Sequence, residues 1–79
     1  MIKEEVGKRI KTLRLTKGMS QEDFAFKCGL DRTYITSLER GKRNISLINL
    51  EKITNALGIS LSEFFIFQQR SNNVKSKRN

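Results

Sequence analysis

The sequence predicts an all-α domain of five short helices, and three observations predict it. Glycines stand where helices should stop, a capping side chain follows each within a few residues, and the segments between carry apolar residues three and four apart. Gly18, Gly29, Gly41 and Gly58 are the stops, because an achiral residue takes the left-handed conformation that ends a helix without steric cost. Ser20, Asp31, Ser46 and Ser60 are the starts, since their side-chain oxygens can accept the unpaired N–H groups of a first turn. Nothing alternates as a strand.

Taken in order, the first helix is expected over 2–17, with Val6, Ile10 and Leu13 on its inner face and Gly7 within it. The second, 21–28, opens on Ser20-Gln-Glu-Asp23, which approximates a capping box with a shorter acid, and turns Phe24, Ala25 and Cys28 inward. The third, 32–40, follows Asp31 and buries Ile35 and Leu38; the fourth, 47–57, follows Ser46 and buries Leu47, Leu50, Thr54 and Leu57. The fifth, 61–68, begins with the full capping-box spacing Ser60-Leu-Ser-Glu63. Residues 70–79, RSNNVKSKRN, hold four bases, no acid and one apolar residue. Such a tail buries too little surface to offset its ordering entropy and is expected to be disordered, leaving 1–69 as the single domain.

Composition narrows the function classes. The 79 residues carry 16 Lys and Arg against 8 Asp and Glu with no histidine, a net charge of +8. That balance favours polyanionic partners, nucleic acid first and an anionic membrane surface second. Setting the tail aside leaves 12 bases and 8 acids, so the body is only +4 and charge alone does not decide the matter. A single cysteine, Cys28, excludes an internal disulfide and a cysteine-rich metal site; with no signal peptide in view it points to the cytoplasm and to a small core hydrophobe. No apolar run approaches the roughly 20 residues of a membrane span. The usual general bases, nucleophile–base pairs and metal ligands are scarce, so no enzyme, no cofactor, no metal and no small-molecule substrate are expected.

The second helix, a corner and the third helix make a unit with steric demands: a small residue where two steeply crossing helices touch, and a tight corner between them. Ala25 supplies the contact and Gly29 the corner. On a helical wheel centred on Ile35, Thr36, Arg40, Thr33 and Ser37 lie between about 100° and 200°. This group is opposite the core and contains neither an acid nor a large hydrophobe, with Arg32 and Tyr34 flanking it. Hydroxyls, a guanidinium fork and an aromatic edge suit a phosphate-walled groove, where arginine bonds guanine bidentately and threonine bonds a base or touches a thymine methyl. Arg32, Thr33, Tyr34, Thr36, Ser37 and Arg40 are therefore the candidates for reading DNA bases; the same residues also compose an ordinary polar helix face.

The segment SQEDFAFKCGLDRTYITSLERGKRN resembles the helix-turn-helix of the phage-repressor (lambda repressor/Cro-like) family of transcription regulators. The likeness extends from IKTLRLTKGMSQEDFA through LEKITNALGISLSEFF, and within the family it looks most like the controller proteins of restriction–modification systems. It implies a lambda-repressor-like five-helix domain and a sequence-specific regulator of its own promoter and a neighbouring gene. It also implies phosphate contacts from Gln21, Lys42, Arg43 and Asn44, and an ion pair between Arg14 and Glu39. One departure is Ile45, where many members have proline before the serine that caps the fourth helix. A phage immunity or antitoxin-type repressor, with its fifth helix holding another protein, shares much of the pattern.

The fifth helix is apolar all round, with Leu61, Phe64, Phe65, Ile66 and Phe67 pointing in every direction. One small core cannot cover all of them, so Phe64, Phe65, Ile66 and Phe67, with Ile48 on the outer side of the fourth helix, are expected to meet a second subunit. A lipid-facing helix or a hinge packed on the tail are the rival readings. A two-fold dimer would set two reading helices about 34 Å apart and demand a near-palindromic operator. The partners expected are double-stranded DNA and a homodimer, or two dimers on adjacent sites.

Overall fold

Ser20, Asp31, Ser46 and Ser60 each hold extended backbone one residue before a helix, and each side chain accepts a bond from a backbone N–H two or three residues on. In the computed structural model, which describes residues 1–66, they open α2 (Gln21–Cys28), α3 (Arg32–Glu39), α4 (Leu47–Leu57) and α5 (Leu61–Phe64), after α1 (Ile2–Thr16). Ser60 and Glu63 form the reciprocal capping box. No strand occurs among the described residues, and none of their helices is long and apolar enough to cross a membrane.

The corner between α2 and α3 is closed by backbone alone. Gly29 sits at φ +72°, where an L side chain is strained. Its N–H donates to the Phe26 carbonyl at 3.1 Å, and the Leu30 N–H donates to the Ala25 carbonyl at 2.9 Å, so two carbonyls of the last turn of α2 are satisfied and α3 starts at Arg32 after three linking residues. A like pair of bonds closes α3 at Gly41. There a second constraint applies, because a Cβ would lie 2.9 Å from Glu4 Cγ and 3.0 Å from Glu4 Cα. The chain leaving α3 thus runs against the first turn of α1.

The core draws on every helix: Val6 and Ile10 from α1, Phe24, Ala25 and Cys28 from α2, Ile35 and Leu38 from α3, Leu50, Ile53 and Leu57 from α4, and Phe64 from α5. Full burial of a side chain such as Phe24 or Ile35 contributes about 1.5–3 kcal/mol. Helix α3 is clamped from two sides, by α2 at the corner and by α1 across its C-terminal end. The second contact requires Gly7: a Cβ at this position would stand 2.3 Å from the Leu38 carbonyl oxygen and 3.0 Å from that of Glu39.

Three sequence expectations are corrected. Leu47 is 83% exposed, and Ile53 takes the place expected for it in the core. The buried stripe of α4 is Leu50, Ile53, Thr54 and Leu57, whose spacing of three, four and seven puts Leu47 about 60° off, on the shoulder of the stripe. The fifth helix is a single turn ending at Phe64, not a run to 68. Finally, Phe64 is fully buried: it is the plug that α5 contributes to the core, so it has no surface left to offer another subunit. Phe67 and the basic tail 70–79 lie outside the described residues.

Cys28 is buried among these side chains, and that burial pushes its thiol up to about 11. The thiol is therefore uncharged at neutral pH, and an aromatic disulfide reagent is expected to label it far more slowly in the folded protein than in denaturant. Equal rates would place Cys28 at the surface. Because the unfolded thiol ionises first as pH rises, stability is expected to fall once pH passes the ordinary thiol range.

Candidate nucleic-acid interface

Two sets of interactions fix how α3 presents its outer face. On the inner side, Arg14 at the end of α1 donates from Nε to Glu39 Oε2 at 2.7 Å and from Nη2 to Glu39 Oε1 at 2.9 Å. The two side chains are 7% and 3% exposed. Arg14 Nη1 also donates to the Met19 carbonyl at 2.8 Å, which ties the α1–α2 connection to the same pair. The bond to Glu39 holds the guanidinium's pKa above its ordinary value. The acid of α3 is thus neutralised inside the protein and adds no repulsion to the outer face.

Gln21, the first residue of α2, extends this pair outward. Its Nε2 donates to Glu39 Oε1 at 3.0 Å while its Oε1 accepts the Thr36 hydroxyl at 2.9 Å. Each end of the Gln21 amide thus makes one bond within the protein, and the second N–H of its amide nitrogen can still donate to the phosphate expected there. The same amide links the buried pair to Thr36 on the outer face of α3.

On that face Arg32, Thr33 and Arg40 are exposed and Tyr34, Thr36 and Ser37 are half-buried. The hydroxyl protons of both threonines have partners within the protein: Thr36 lies within reach of the Gln21 amide oxygen and, at 3.1 Å, the Arg32 carbonyl, while Thr33 donates to the exposed Asp31 carboxylate. Each threonine therefore offers a groove an acceptor oxygen and a methyl group, while Arg32 and Arg40 supply donors. The Thr33 hydroxyl, joined by backbone N–H groups, holds the Asp31 carboxyl below its usual range, so the cap stays charged.

The other set lies toward the loop. Tyr34 packs against the core edge and its hydroxyl accepts a bond from Asn49 Nδ2 at 3.1 Å, leaving its own proton to donate. The Arg43 guanidinium sits over the Tyr34 ring, 4.8 Å from its centre. A residue expected to read bases and one expected to touch phosphate are thus stacked on each other. Lys42, Arg43 and Asn44 are all exposed, as are Arg32 at the start of α3 and Arg40 at its end.

The helix-turn-helix family pattern matches residues 10–64. The chain belongs to the helix-turn-helix family. Within it, the control protein C.MunI of Mycoplasma sp is 57% identical over 65 residues, spanning 81% of this chain and 88% of that one. Among solved structures, the restriction–modification controller protein C.AhdI from Aeromonas hydrophila superposes with a TM-score of 0.77 at 48% identity, covering 80% of this chain and 96% of its own. The controller protein C.Esp1396I, seen as a tetramer in complex with its natural 35 base-pair operator, gives 0.77 at 46% identity and covers 82% and 86%.

Several residues of this helix-turn-helix chain carry the site without any local signal. Asn49 looks like an ordinary polar residue in the first turn of α4, and only the fold brings it to Tyr34. Gly7 looks like a weak point in a helix rather than a contact. The Arg14–Glu39 pair was implied by the family likeness and is present as bidentate bonds.

Proposed function

We propose that this protein is a homodimeric regulator of transcription that binds a near-palindromic operator through the α3 face, in the manner its controller-protein relatives suggest. The observation that carries the reading is the face itself. Arg32, Thr33, Ser37 and Arg40 are set opposite Ile35 and Leu38 and backed by the Arg14–Glu39–Gln21 network, in a chain 46% identical to one seen on its operator. The cationic loop Lys42-Arg43-Asn44 anchors the phosphate backbone and fixes the register, while the α3 side chains read bases. Control of its own promoter and of a neighbouring restriction–modification gene follows from the same likeness, as do a cytoplasmic site of action and the lack of an enzymatic role. Ile48, Phe65 and Ile66, all exposed apolar residues, form the surface that meets the second copy, and exposed Leu61 joins them.

Arg32→Ala is expected to weaken binding to the operator by about 1–3 kcal/mol while barely changing affinity for a scrambled duplex. Arg43→Ala is expected to weaken both equally and to reduce the salt slope by about one. Titrations of both variants on both duplexes check this. Equal losses on operator and scrambled DNA for Arg32→Ala would remove it from the base readers, and a wild-type protein with no preference for any duplex would end the reading.

A further inference from the structure

Arg9 lies on α1, far in sequence from α5, yet both ends of its guanidinium are spent there. Nε donates to the Phe64 carbonyl at 2.8 Å and Nη2 donates to the Glu63 carbonyl at 2.7 Å. A single-turn helix has no following turn to satisfy its carbonyls, and its C-terminal end carries partial negative charge, so a cation placed there is doubly favoured. The Glu63 carbonyl also accepts the Ile66 N–H at 3.2 Å. The Phe64 carbonyl held by Arg9 lies in the peptide plane before Phe65, and the Ile66 N–H bonded to the Arg9-held Glu63 carbonyl lies in the plane after it, so both planes flanking Phe65 are held and the direction in which its side chain leaves the backbone is set. Phe64 anchors one side of this segment in the core, with the Phe65 ring edge-on to it at 5.1 Å between centres. Phe65 and Ile66 remain 45% and 42% exposed.

We propose that Arg9 is a positioning residue for self-association: it clamps the peptide planes at the end of α5 so that Phe65 and Ile66 meet a second copy of this chain in one preset geometry. The proposal rests on the reading of that apolar face as the dimer surface. A segment of one helical turn, released from its clamp, must be ordered again each time two subunits meet, and that ordering is charged against association. Charge-assisted bonds to two carbonyls are strong enough to do the ordering beforehand.

The test is the dimer dissociation constant from sedimentation equilibrium, at a temperature where circular dichroism shows every variant folded. Arg9→Met keeps the aliphatic stem and removes all donors; it is expected to raise the constant about tenfold or more. Arg9→Lys, which can reach one carbonyl, is expected to recover part of that loss. A role limited to holding the monomer together would lower the melting temperature and leave the constant where it was. Phe65→Ala separates the two layers of the proposal. If it leaves the dimer unchanged, the face is misassigned and the proposal falls with it. If it weakens the dimer while Arg9→Met does not, the face stands and the clamp is overturned. Should Arg9→Met fail to fold, Arg9→Lys against wild type is read by the same criteria.

Discussion

Glu39→Ala is expected to cost about 3–5 kcal/mol, because it leaves the Arg14 guanidinium charged and enclosed without its partner. A domain of this size has roughly 4–12 kcal/mol of stability in all, so the variant should lose a large share of it and unfold at a markedly lower urea concentration. Three bonds to the carboxylate disappear together, two from Arg14 and one from Gln21. Gln21 then loses one of the two anchors that direct it toward Thr36. Urea unfolding followed by far-ultraviolet circular dichroism measures the loss. The double variant Arg14→Met with Glu39→Leu is expected to recover much of it, since no buried charge remains to be compensated. A single variant as stable as wild type would show that the pair is solvated in solution.

Gly7→Ala is expected to produce the second large loss, and from one methyl group. Ordinarily this change stabilises a helix by roughly 0.5–1 kcal/mol. Here the new Cβ would stand 2.3 Å from the Leu38 carbonyl oxygen, and the obstacle is backbone, which cannot rotate aside. Either α1 or α3 must shift, at about 1–3 kcal/mol or more. The shift loosens the Arg14–Glu39 bonds as well, so operator affinity should fall with stability. Lys8→Ala, an exposed neighbour on the same helix, is the control and should stay within about 0.5 kcal/mol of wild type. A Gly7→Ala protein more stable than wild type would mean that the helices do not cross this closely.

What could be read from the chain alone divides by range. Helix starts and stops were legible because their causes are local: a serine or aspartate side chain bonding an N–H two or three residues away, a glycine turning the backbone at its own position. The outward side of α3 was legible for the same reason, since Ile35 and Leu38 fix the angle of everything else on a rigid helix. The roles of Gly7, Arg9 and Asn49 were not. Each depends on an atom brought close by packing, the Leu38 carbonyl, the end of α5 and the Tyr34 hydroxyl in turn, and nothing within a few residues signals them. The length of α5 failed for a different reason. Leu61, Phe64, Phe65, Ile66 and Phe67 are apolar without a helical period, so composition shows that the segment is greasy but not where its turn ends; core burial of Phe64 settles the direction.

The nearly dry Arg14–Glu39 pair has a consequence for release. Mobile ions weaken contacts between exposed cations and phosphates steeply, but they barely reach a pair whose side chains are 7% and 3% exposed. Raising ionic strength should therefore strip the protein from its operator long before it loosens the scaffold that aims α3. Grip and skeleton answer to different variables, and the molecule that lets go is already shaped to bind again.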